Sequence, residues 1–205
     1  MTTLKDKVIL VTGSGKGIGR LVAEAVAGRG AIVAANDITP INLHETVAHI
    51  SAAGGRVKAY VEDIAKKMPV QALVKDVEDD WGRIDALVNC AEVAPSAALL
   101  EMDDWDWQRT LDVNLSGAFL LTQSIGRVMK AKGGGIIVHI GWHARSPERR
   151  AAYFASKGGL AAFVEQAASE LAESGIRVHL VLPVERDDVV AQVISLLETE
   201  CLRSR

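Results

Sequence analysis

The chain has little cysteine and no excess of charge of one sign. Only Cys90 and Cys201 occur among its 205 residues, which is too few for a disulfide framework and lacks metal-ligand spacing. The formal net charge is −3, with acidic and basic residues interspersed, so no basic surface is available for nucleic acid or an anionic membrane. We therefore expect no bound metal, no nucleic-acid partner and a reducing, cytoplasmic location.

Long apolar runs are missing as well. No stretch reaches the roughly 20 residues that a membrane-spanning helix needs, and the first seven residues lack the apolar core of a signal peptide. No shift in composition and no linker rich in Pro or Ser divides the chain. The length suits one large core, so the sequence predicts a single domain over residues 1–205.

Strand and helix patterns alternate along the whole chain. Strands are predicted at residues 8–11, 31–35, 57–61, 86–89, 136–140 and 178–182. Helices are predicted near residues 18–26, 42–53, 70–81, 103–130 and 151–173, with a last one that begins near Asp187. This alternation predicts an α/β fold, a three-layer, doubly wound parallel sheet of six strands with helices on both faces.

The first strand runs directly into a glycine-rich loop, residues 13–19, and then into a helix. Unpaired backbone N–H groups and the positive end of the helix dipole can hold a phosphate at such a helix start. Gly13, Gly17 and Gly19 let the backbone come close to a pyrophosphate. The same pattern also occurs in ordinary strand-to-helix turns, so the loop alone leaves both interpretations open.

Two charged residues near this loop indicate different cofactors. Asp37 ends the second strand, where a carboxylate can accept hydrogen bonds from both hydroxyls of an adenosine ribose and would repel a 2′-phosphate. A helix-cap or turn aspartate is the other interpretation of this residue. Lys16 lies in the loop and could attract a 2′-phosphate. Because a fixed carboxylate outweighs a flexible, solvated lysine, the residues favour NAD over NADP.

Four motifs together resemble those of the short-chain dehydrogenase/reductase family, in the family's order, from about Lys5 to Pro183. They are Thr12-Gly13-Ser14-Gly15-Lys16-Gly17-Ile18-Gly19, Asn89-Cys90-Ala91, the Asn114 within Asp112-Val113-Asn114-Leu115-Ser116-Gly117, and Tyr153-Phe154-Ala155-Ser156-Lys157. The resemblance implies a Rossmann fold and an oxidoreductase that acts on a small carbonyl or alcohol substrate. It also implies a homo-oligomer, a dimer or tetramer.

The resemblance assigns the cofactor site residue by residue. The implied cofactor-binding residues are Gly13, Ser14, Lys16, Gly17, Ile18, Gly19, Asp37, Ile38, Asp63, Ile64, Asn89, Ala91, Tyr153, Lys157 and Pro183. Within this set, Asp63 and Ile64 would border the adenine, with a plain surface turn as the other interpretation. The resemblance associates Lys16 with NADP users, so NADP is allowed although NAD is expected.

The predicted catalytic residues are Tyr153, Lys157 and Asn114. Tyr153 and Lys157 are four positions apart and therefore share one face of a helix. A tyrosine hydroxyl has a pKa of about 10, and a nearby ammonium is expected to lower it toward neutrality. By resemblance, Tyr153 exchanges a proton with the substrate oxygen, Lys157 also holds the nicotinamide ribose, and Asn114 holds a water that relays protons to Lys157. Taken alone, the same side chains would be interpreted as surface or capping residues.

The fifth strand departs from the family pattern at its end. It reads Ile140-Gly141-Trp142, where the family carries a serine that donates a hydrogen bond to the substrate oxygen. Loss of one such donor costs on the order of 100- to 1000-fold in rate. His143 or Ser146 could replace it only after a rearrangement of the loop. We therefore expect weak or narrow activity.

Two further departures concern Glu92 and the end of the chain. Glu92 stands where the family's Asn-Asn-Ala-Gly segment ends in glycine, and a carboxylate beside a pyrophosphate or ribose is unfavourable unless it points to solvent. After Pro183 the chain passes directly to a short last helix, so the substrate lid and the last strand are expected to be absent. These departures leave an alternative function open, a catalytically impaired dinucleotide-binding protein that acts as a sensor or partner subunit, or a decayed scaffold.

Overall fold

One parallel sheet of six strands forms the centre of the computed structural model, which describes residues 4–141, 149–182 and 186–203. The strands are β1 (Val8–Thr12), β2 (Ile32–Asp37), β3 (Arg56–Val61), β4 (Ala86–Asn89), β5 (Gly135–Ile140) and β6 (Ile176–Val181). They lie in the order β3-β2-β1-β4-β5-β6, and every pair is parallel. The predicted doubly wound sheet is confirmed, and its order reverses between β1 and β4.

Helices cover both faces of this sheet. They are α1 (Gly17–Ala27), α2 (Pro40–Ala52), α3 (Lys67–Trp81), α4 (Asp104–Leu111), α5 (Gly117–Ala131), α6 (Ala151–Leu171) and α7 (Arg186–Arg203). Buried side chains of α1, α2 and α7 form the core on one face, and those of α3, α5 and α6 form the core on the other. None of the helices within the described ranges is both long and apolar enough to cross a membrane.

The central strands are buried on both faces. Every residue of β1 and of β4 is buried, and both strands are continuous or nearly continuous apolar runs. The edge strand β3 instead alternates between exposed and partly buried residues. This difference is typical of a parallel sheet that helices cover on both sides, and it brings the carboxyl ends of the buried strands to one edge.

The helical region predicted over residues 103–130 is confirmed, and it consists of three consecutive helical segments. Asp103 caps α4 by accepting a hydrogen bond from Trp105 N at 2.7 Å, as its position before the helix favours. A π-helical turn, Asp112–Ser116, then separates α4 from α5. Periodicity does not reveal this turn, because it inserts one extra residue without a break in the helical hydrogen bonding.

The end of the sheet also differs from the prediction. Strand β6 spans Ile176–Val181. The apolar pattern predicts 178–182, so the strand begins two residues earlier and ends one residue earlier than predicted. Its bounds follow its pairing, because Ile176 lies opposite Gly135 at the start of β5. Only residues 182–185 separate β6 from α7, and Val193 of α7 is fully buried, as predicted.

A buried histidine connects the centre of the sheet to α5. The imidazole of His139 lies 3.2 Å from Asn89 Nδ2 through Nδ1 and 2.9 Å from Thr122 Oγ1 through Nε2. An amide nitrogen can only donate, so Nδ1 is the acceptor and Nε2 carries the proton. Burial, with a smaller contribution from the Lys157 charge, lowers the pKa of His139 to about 3. The imidazole is therefore neutral at physiological pH.

This histidine makes the stability of the protein sensitive to acid. Its pKa falls from 6.5 in the unfolded chain to about 3 in the folded protein, so between these values the unfolded state binds the extra proton. We expect the free energy of unfolding to fall by up to about 1.4 kcal/mol per pH unit from this residue as the pH drops from about 6 to about 4. Urea denaturation of the parent and of His139→Asn across this range measures the difference, since all other groups titrate in both proteins. Parallel curves, or an imidazole NMR titration with a midpoint near 6.5, would contradict this assignment.

Candidate active site

A cleft of about 390 Å³ lies at the carboxyl edge of the sheet, above the point where the strand order reverses. It is bounded by the loop after β1 and by the segments that follow β2, β3 and β4. The predicted cofactor residues that line it are Gly13, Lys16, Gly17, Ile18, Gly19, Asp37, Ile38, Asp63, Ile64 and Ala91. The cleft thus brings together ten residues that the motifs indicated separately.

Backbone contacts in the glycine loop leave no space for side chains. Gly13 has a φ of +64°, and a Cβ there would lie 2.7 Å from the Cα of Ala91. A Cβ on Gly19 would lie 2.1 Å from the carbonyl oxygen of Gly13. The first turn of α1 contains no acidic side chain, and Lys16 before it is exposed. The loop therefore presents bare backbone and an uncompensated helix start, which suits a pyrophosphate.

The carboxylate of Asp37 is held at the end of β2. Its Oδ2 accepts a hydrogen bond from Gly15 N at 2.9 Å, and its Oδ1 accepts one from Thr39 N at 2.8 Å. Both bonds fix the carboxylate beside the glycine loop on the wall of the cleft. This position fits a carboxylate that accepts hydrogen bonds from ribose hydroxyls, although the same bonds also stabilise the loop itself.

Arg109 is a cleft residue that the sequence does not indicate. Its guanidinium pairs with Asp63, with Nη1 at 3.2 Å from Oδ2, and Asp63 Oδ1 also accepts from Ala65 N at 3.0 Å. Both side chains line the cleft. No local pattern connects residues 46 positions apart, so only the packing of α4 against the end of β3 reveals the pair.

Two predicted cofactor residues support the cleft from beneath instead of lining it. Ser14 is buried and its hydroxyl donates to Asn36 O at 3.0 Å. Asn89 is buried in the sheet, where its Oδ1 accepts from Thr12 Oγ1 at 2.6 Å. The remaining positions that the sequence singled out, Trp142, His143, Ser146 and Pro183, lie outside the described residues.

Tyr153 and Lys157 lie side by side on α6, as their spacing predicts. The Nζ of Lys157 is 5.5 Å from the centroid of the Tyr153 ring and donates to Ile140 O at 2.8 Å. Lys157 is almost completely buried, with 3% of its surface exposed. A charged ammonium in such a position requires acceptors close by.

Glu92 provides the second acceptor. Its Oε2 is 2.8 Å from Lys157 Nζ and accepts a hydrogen bond from Tyr153 Oη at 3.3 Å. The carboxylate thus contacts both predicted catalytic side chains. In this structure the charge of the partly exposed Glu92 carboxylate is compensated by a buried ammonium.

This contact changes the acidity of Tyr153. Burial raises the pKa of its hydroxyl above the ordinary value of 10.0, and the charge and hydrogen bond of Glu92 raise it further, against a smaller opposite effect of Arg150. The predicted lowering of the Tyr153 pKa by Lys157 is wrong in this arrangement. The main reason is burial of the hydroxyl, and the charge of Glu92 and the hydrogen bond that it accepts from Tyr153 act in the same direction.

Asn114 makes contacts other than those expected for a water-holding residue. Its Oδ1 accepts from Val93 N and its Nδ2 donates to Val93 O, both at 2.9 Å. The Nδ2 also donates to Ser156 Oγ at 3.0 Å. From the π-helical turn, Asn114 therefore fixes the segment after β4 and connects it to α6.

Cys90 faces the cleft but is not a reactive thiol. Burial raises its pKa to about 12, and the charge of Glu92 acts in the same direction. A thiol with such a pKa is protonated at physiological pH and is a poor nucleophile. Within the described residues no group of three or more His, Cys, Asp or Glu side chains is arranged to hold a metal ion.

The fold and the site define a class of protein, the Rossmann-type oxidoreductases with a tyrosine–lysine pair. The sequence model of the short chain dehydrogenase family matches residues 7–192, and the chain belongs to this family. The family prediction is therefore confirmed, and so is the predicted class of enzyme.

The curated relatives are dehydrogenases and reductases. The short-chain reductase protein NovJ of Streptomyces niveus is 37% identical over 180 residues, 87% of this chain and 69% of the relative. The D-threitol dehydrogenase of Mycolicibacterium smegmatis is 38% identical over 182 residues, 88% of this chain and 70% of the relative. Neither name favours a non-catalytic role.

Similar solved structures contain either form of the cofactor. A metagenomic short-chain oxidoreductase in complex with NADP has a TM-score of 0.90 and 32% identity, covering 96% of this chain and 92% of that one. NAD⁺-bound xylitol dehydrogenase has a TM-score of 0.84 and 33% identity, covering 88% of this chain and 70% of that one. The expected cofactor, NAD with NADP also allowed, agrees with these structures.

The close backbone approach in the glycine loop predicts that a methyl group added at Gly19 destabilises the protein. We expect Gly19→Ala to lower the free energy of unfolding by about 1–3 kcal/mol, because its Cβ would collide with the Gly13 carbonyl. Gly28→Ala is the matched control, since the nearest atom to its Cβ is Glu24 O at 3.5 Å, an ordinary contact. Its effect should stay within about 0.5 kcal/mol. Urea denaturation measures both variants, and equal stabilities would contradict the described loop geometry.

Proposed function

We propose that the protein transfers a hydride between a nicotinamide dinucleotide, preferably NAD(H), and a carbonyl or alcohol carbon of a small molecule. One observation carries this proposal. Tyr153 and Lys157 lie next to the end of a cleft that is lined by the glycine loop and Asp37. The dinucleotide, when bound, supplies or accepts the hydride at its nicotinamide ring. The protein supplies binding, orientation and the proton.

The cleft fits the adenosine half of a dinucleotide. The backbone of Gly13 and Gly19 would approach the pyrophosphate, and the fixed carboxylate of Asp37 would accept hydrogen bonds from the ribose hydroxyls. Asp63 and Ile64 on the opposite wall would border the adenine. The Arg109 guanidinium pairs with Asp63 there, and Glu62 lines the same cleft.

Tyr153 is the proposed proton donor to the substrate oxygen during reduction and the acceptor during oxidation. Its hydroxyl contacts Glu92, which lines the cleft, and Lys157 is one helical turn further along α6. The ammonium of Lys157 would stabilise the phenolate that forms after the proton is transferred. Asn114 is proposed to act by positioning, because it holds both Val93 and Ser156.

The substrate is proposed to be a small carbonyl compound or alcohol, converted slowly or within a narrow range. This expectation rests on the tryptophan at position 142, where the family has a serine that donates to the substrate oxygen. Two similar proteins are named for polyols, D-threitol and xylitol. A panel of polyols and their keto forms is therefore the first set of substrates to assay.

Oligomerisation is part of the proposal. The partly exposed rings of Phe119 on α5 and Phe163 on α6 lie edge to face, with centroids 6.2 Å apart. Beside them a groove of about 560 Å³ runs between the two helices. These features support the expectation from the family resemblance that these helices form a contact between subunits.

The role of Tyr153 predicts a specific loss of activity. We expect Tyr153→Phe to lower the rate of turnover by about 10²- to 10⁴-fold, because the proton donor is lost, while NADH still binds. Tyr60→Phe is the matched control, because Tyr60 lies on β3 and its hydroxyl donates to Asp80 at 2.7 Å, away from the cleft. Steady-state rates on the substrate panel and NADH fluorescence measure the two effects. Equal activity of both variants would contradict the role of Tyr153.

The position of Asp37 predicts the preference between the two dinucleotides. We expect Asp37→Asn to shift the ratio of Kd values toward NADP by at least about tenfold, because a repulsion of about 1–4 kcal/mol between carboxylate and 2′-phosphate is removed. The amide oxygen can still accept from Gly15 N, so the loop keeps its support. Asp76→Asn, an exposed change on α3, is the control. An unchanged ratio in both variants would show that Asp37 does not select the cofactor.

A further inference from the structure

Glu92 is held in place by the backbone on both sides of it. The N–H of Ala91 donates to Thr12 Oγ1 at 3.4 Å, and Val93 is bound through its N–H and its carbonyl to the amide of Asn114. The segment after β4 therefore has little freedom to turn. As a result, the Glu92 side chain is directed along the wall of the cleft toward α6.

The two partners of the Glu92–Lys157 ion pair differ in their exposure to water. The side chain of Lys157 is 3% exposed, and that of Glu92 is 40% exposed. Release of the pair would leave Lys157 buried with Ile140 O as its described acceptor, whereas Glu92 could be hydrated by a rotation of its side chain. The pair can therefore open from the Glu92 side, provided that another acceptor takes its place at Lys157.

The charged and titratable groups around Glu92 come from two directions. Tyr153 and Lys157 contact it from α6, and Cys90 lies on its own segment. Arg150, the residue before α6, acts electrostatically on Tyr153. Cys90 is a neutral thiol, so Lys157 is the cation in direct contact with the carboxylate. The family resemblance assigns the same ammonium to the nicotinamide ribose, and we include this contact in the proposed function.

We propose that Glu92 is a displaceable counter-ion that occupies Lys157 until the dinucleotide binds, and that it thereby sets both the cofactor affinity and the protonation of Tyr153. This inference rests on the proposed function, since the competing ligand is the ribose of the nicotinamide half. A carboxylate and a pair of ribose hydroxyls are both hydrogen-bond acceptors for one buried ammonium, and they compete for its donors. Part of the binding free energy is then used to separate the ion pair.

A second consequence concerns Tyr153. While Glu92 accepts a hydrogen bond from the phenol and neutralises Lys157, Tyr153 keeps its proton and therefore cannot accept one from a substrate. Displacement of the carboxylate removes the hydrogen-bond acceptor of the phenol. The ammonium of Lys157 can then lower the pKa of Tyr153. Occupation of the cleft and activation of Tyr153 are therefore coupled through one side chain. Glu92 is a positioning residue, because it acts on the reaction through Tyr153 and Lys157.

The first test measures cofactor affinity in the full chain. We expect Glu92→Gln, which removes the charge, and Glu92→Gly, which removes the side chain, to lower the Kd for NADH by about tenfold. Glu165→Gln is the matched control, since Glu165 is exposed on the same helix as Lys157 but eight residues further along. Titration of NADH fluorescence gives the three constants. An unchanged or higher Kd in both Glu92 variants overturns the proposal.

The second test needs neither substrate nor cofactor. The chain contains two tyrosines, so in a Tyr60→Phe background the ultraviolet absorbance of tyrosinate reports on Tyr153 alone. In this background we expect Tyr153 to ionise above its ordinary pKa of 10.0. When either Glu92 substitution is added, we expect Tyr153 to ionise at a lower pH. Glu165→Gln should not change the midpoint. If Tyr60→Phe does not fold, the parent and the Glu92 variants are titrated with both tyrosines present. Tyr60 is the same in all of these proteins, so a difference between their titration curves reports on Tyr153.

The two tests distinguish this inference from the proposed function. If the Glu92 variants bind NADH more tightly and shift the tyrosine titration while no variant turns over any substrate, the counter-ion role stands and the oxidoreductase activity fails. If the parent turns over substrates but the Glu92 variants change neither the Kd nor the titration, the counter-ion role is overturned and the activity stands. Absence of NADH binding in every variant overturns both.

Discussion

The hydrogen bond between the hydroxyl of Thr12 and the side chain of Asn89 is the interaction on which the site depends. It is 2.6 Å long, buried, and joins the last residues of β1 and β4 at the point where the sheet order reverses. Beyond it the chain turns to opposite faces of the sheet, and the space between the two turns is the cleft. The close approach of Gly13 to Ala91 sits directly above this bond. A larger residue at either position would separate the loop from the wall opposite.

Polar groups continue from this bond through the interior of the sheet. Asn89 is linked to His139 on β5, and His139 to Thr122 on α5, so three elements are connected by hydrogen bonds beneath the cleft. With the proton on Nε2 of His139, the Asn89 amide donates to Nδ1 and Nε2 donates to the Thr122 hydroxyl. These buried polar groups are therefore hydrogen-bonded, which avoids the cost of burying them without partners. The floor of the cleft is therefore specified by side-chain hydrogen bonds as well as by apolar packing.

The electrostatics of the catalytic pair depend on one residue outside the motif that defines it. Tyr153 and Lys157 have the spacing that the family pattern requires, yet burial, together with the charge and hydrogen bond of Glu92, raises the pKa of the phenol. The geometry of a motif and its chemistry are separate properties here. A carboxylate placed against a buried ammonium costs little as an ion pair, but it removes the positive potential that a phenolate needs.

Short stretches of the sequence predict the features that depend on neighbouring residues. The alternation of strands and helices, the glycine loop before α1, the position of Asp37 at the end of β2 and the shared face of Tyr153 and Lys157 all follow from short-range periodicity. The family resemblance, which rests on four short motifs, assigns the ten cofactor residues that line one cleft.

Features that depend on residues far apart in the chain come from the way the elements pack. The contacts of Glu92 with α6, the pairing of Arg109 with Asp63, and the hydrogen bonds by which Asn114 holds Val93 from a π-helical turn join separate elements. Local patterns carry no information on which side chains meet when such elements pack, because the meeting point is set by the sheet order and by helix packing. The negative charge next to Tyr153 therefore cannot be predicted from local patterns, because it depends on the packing of the segment after β4 against α6.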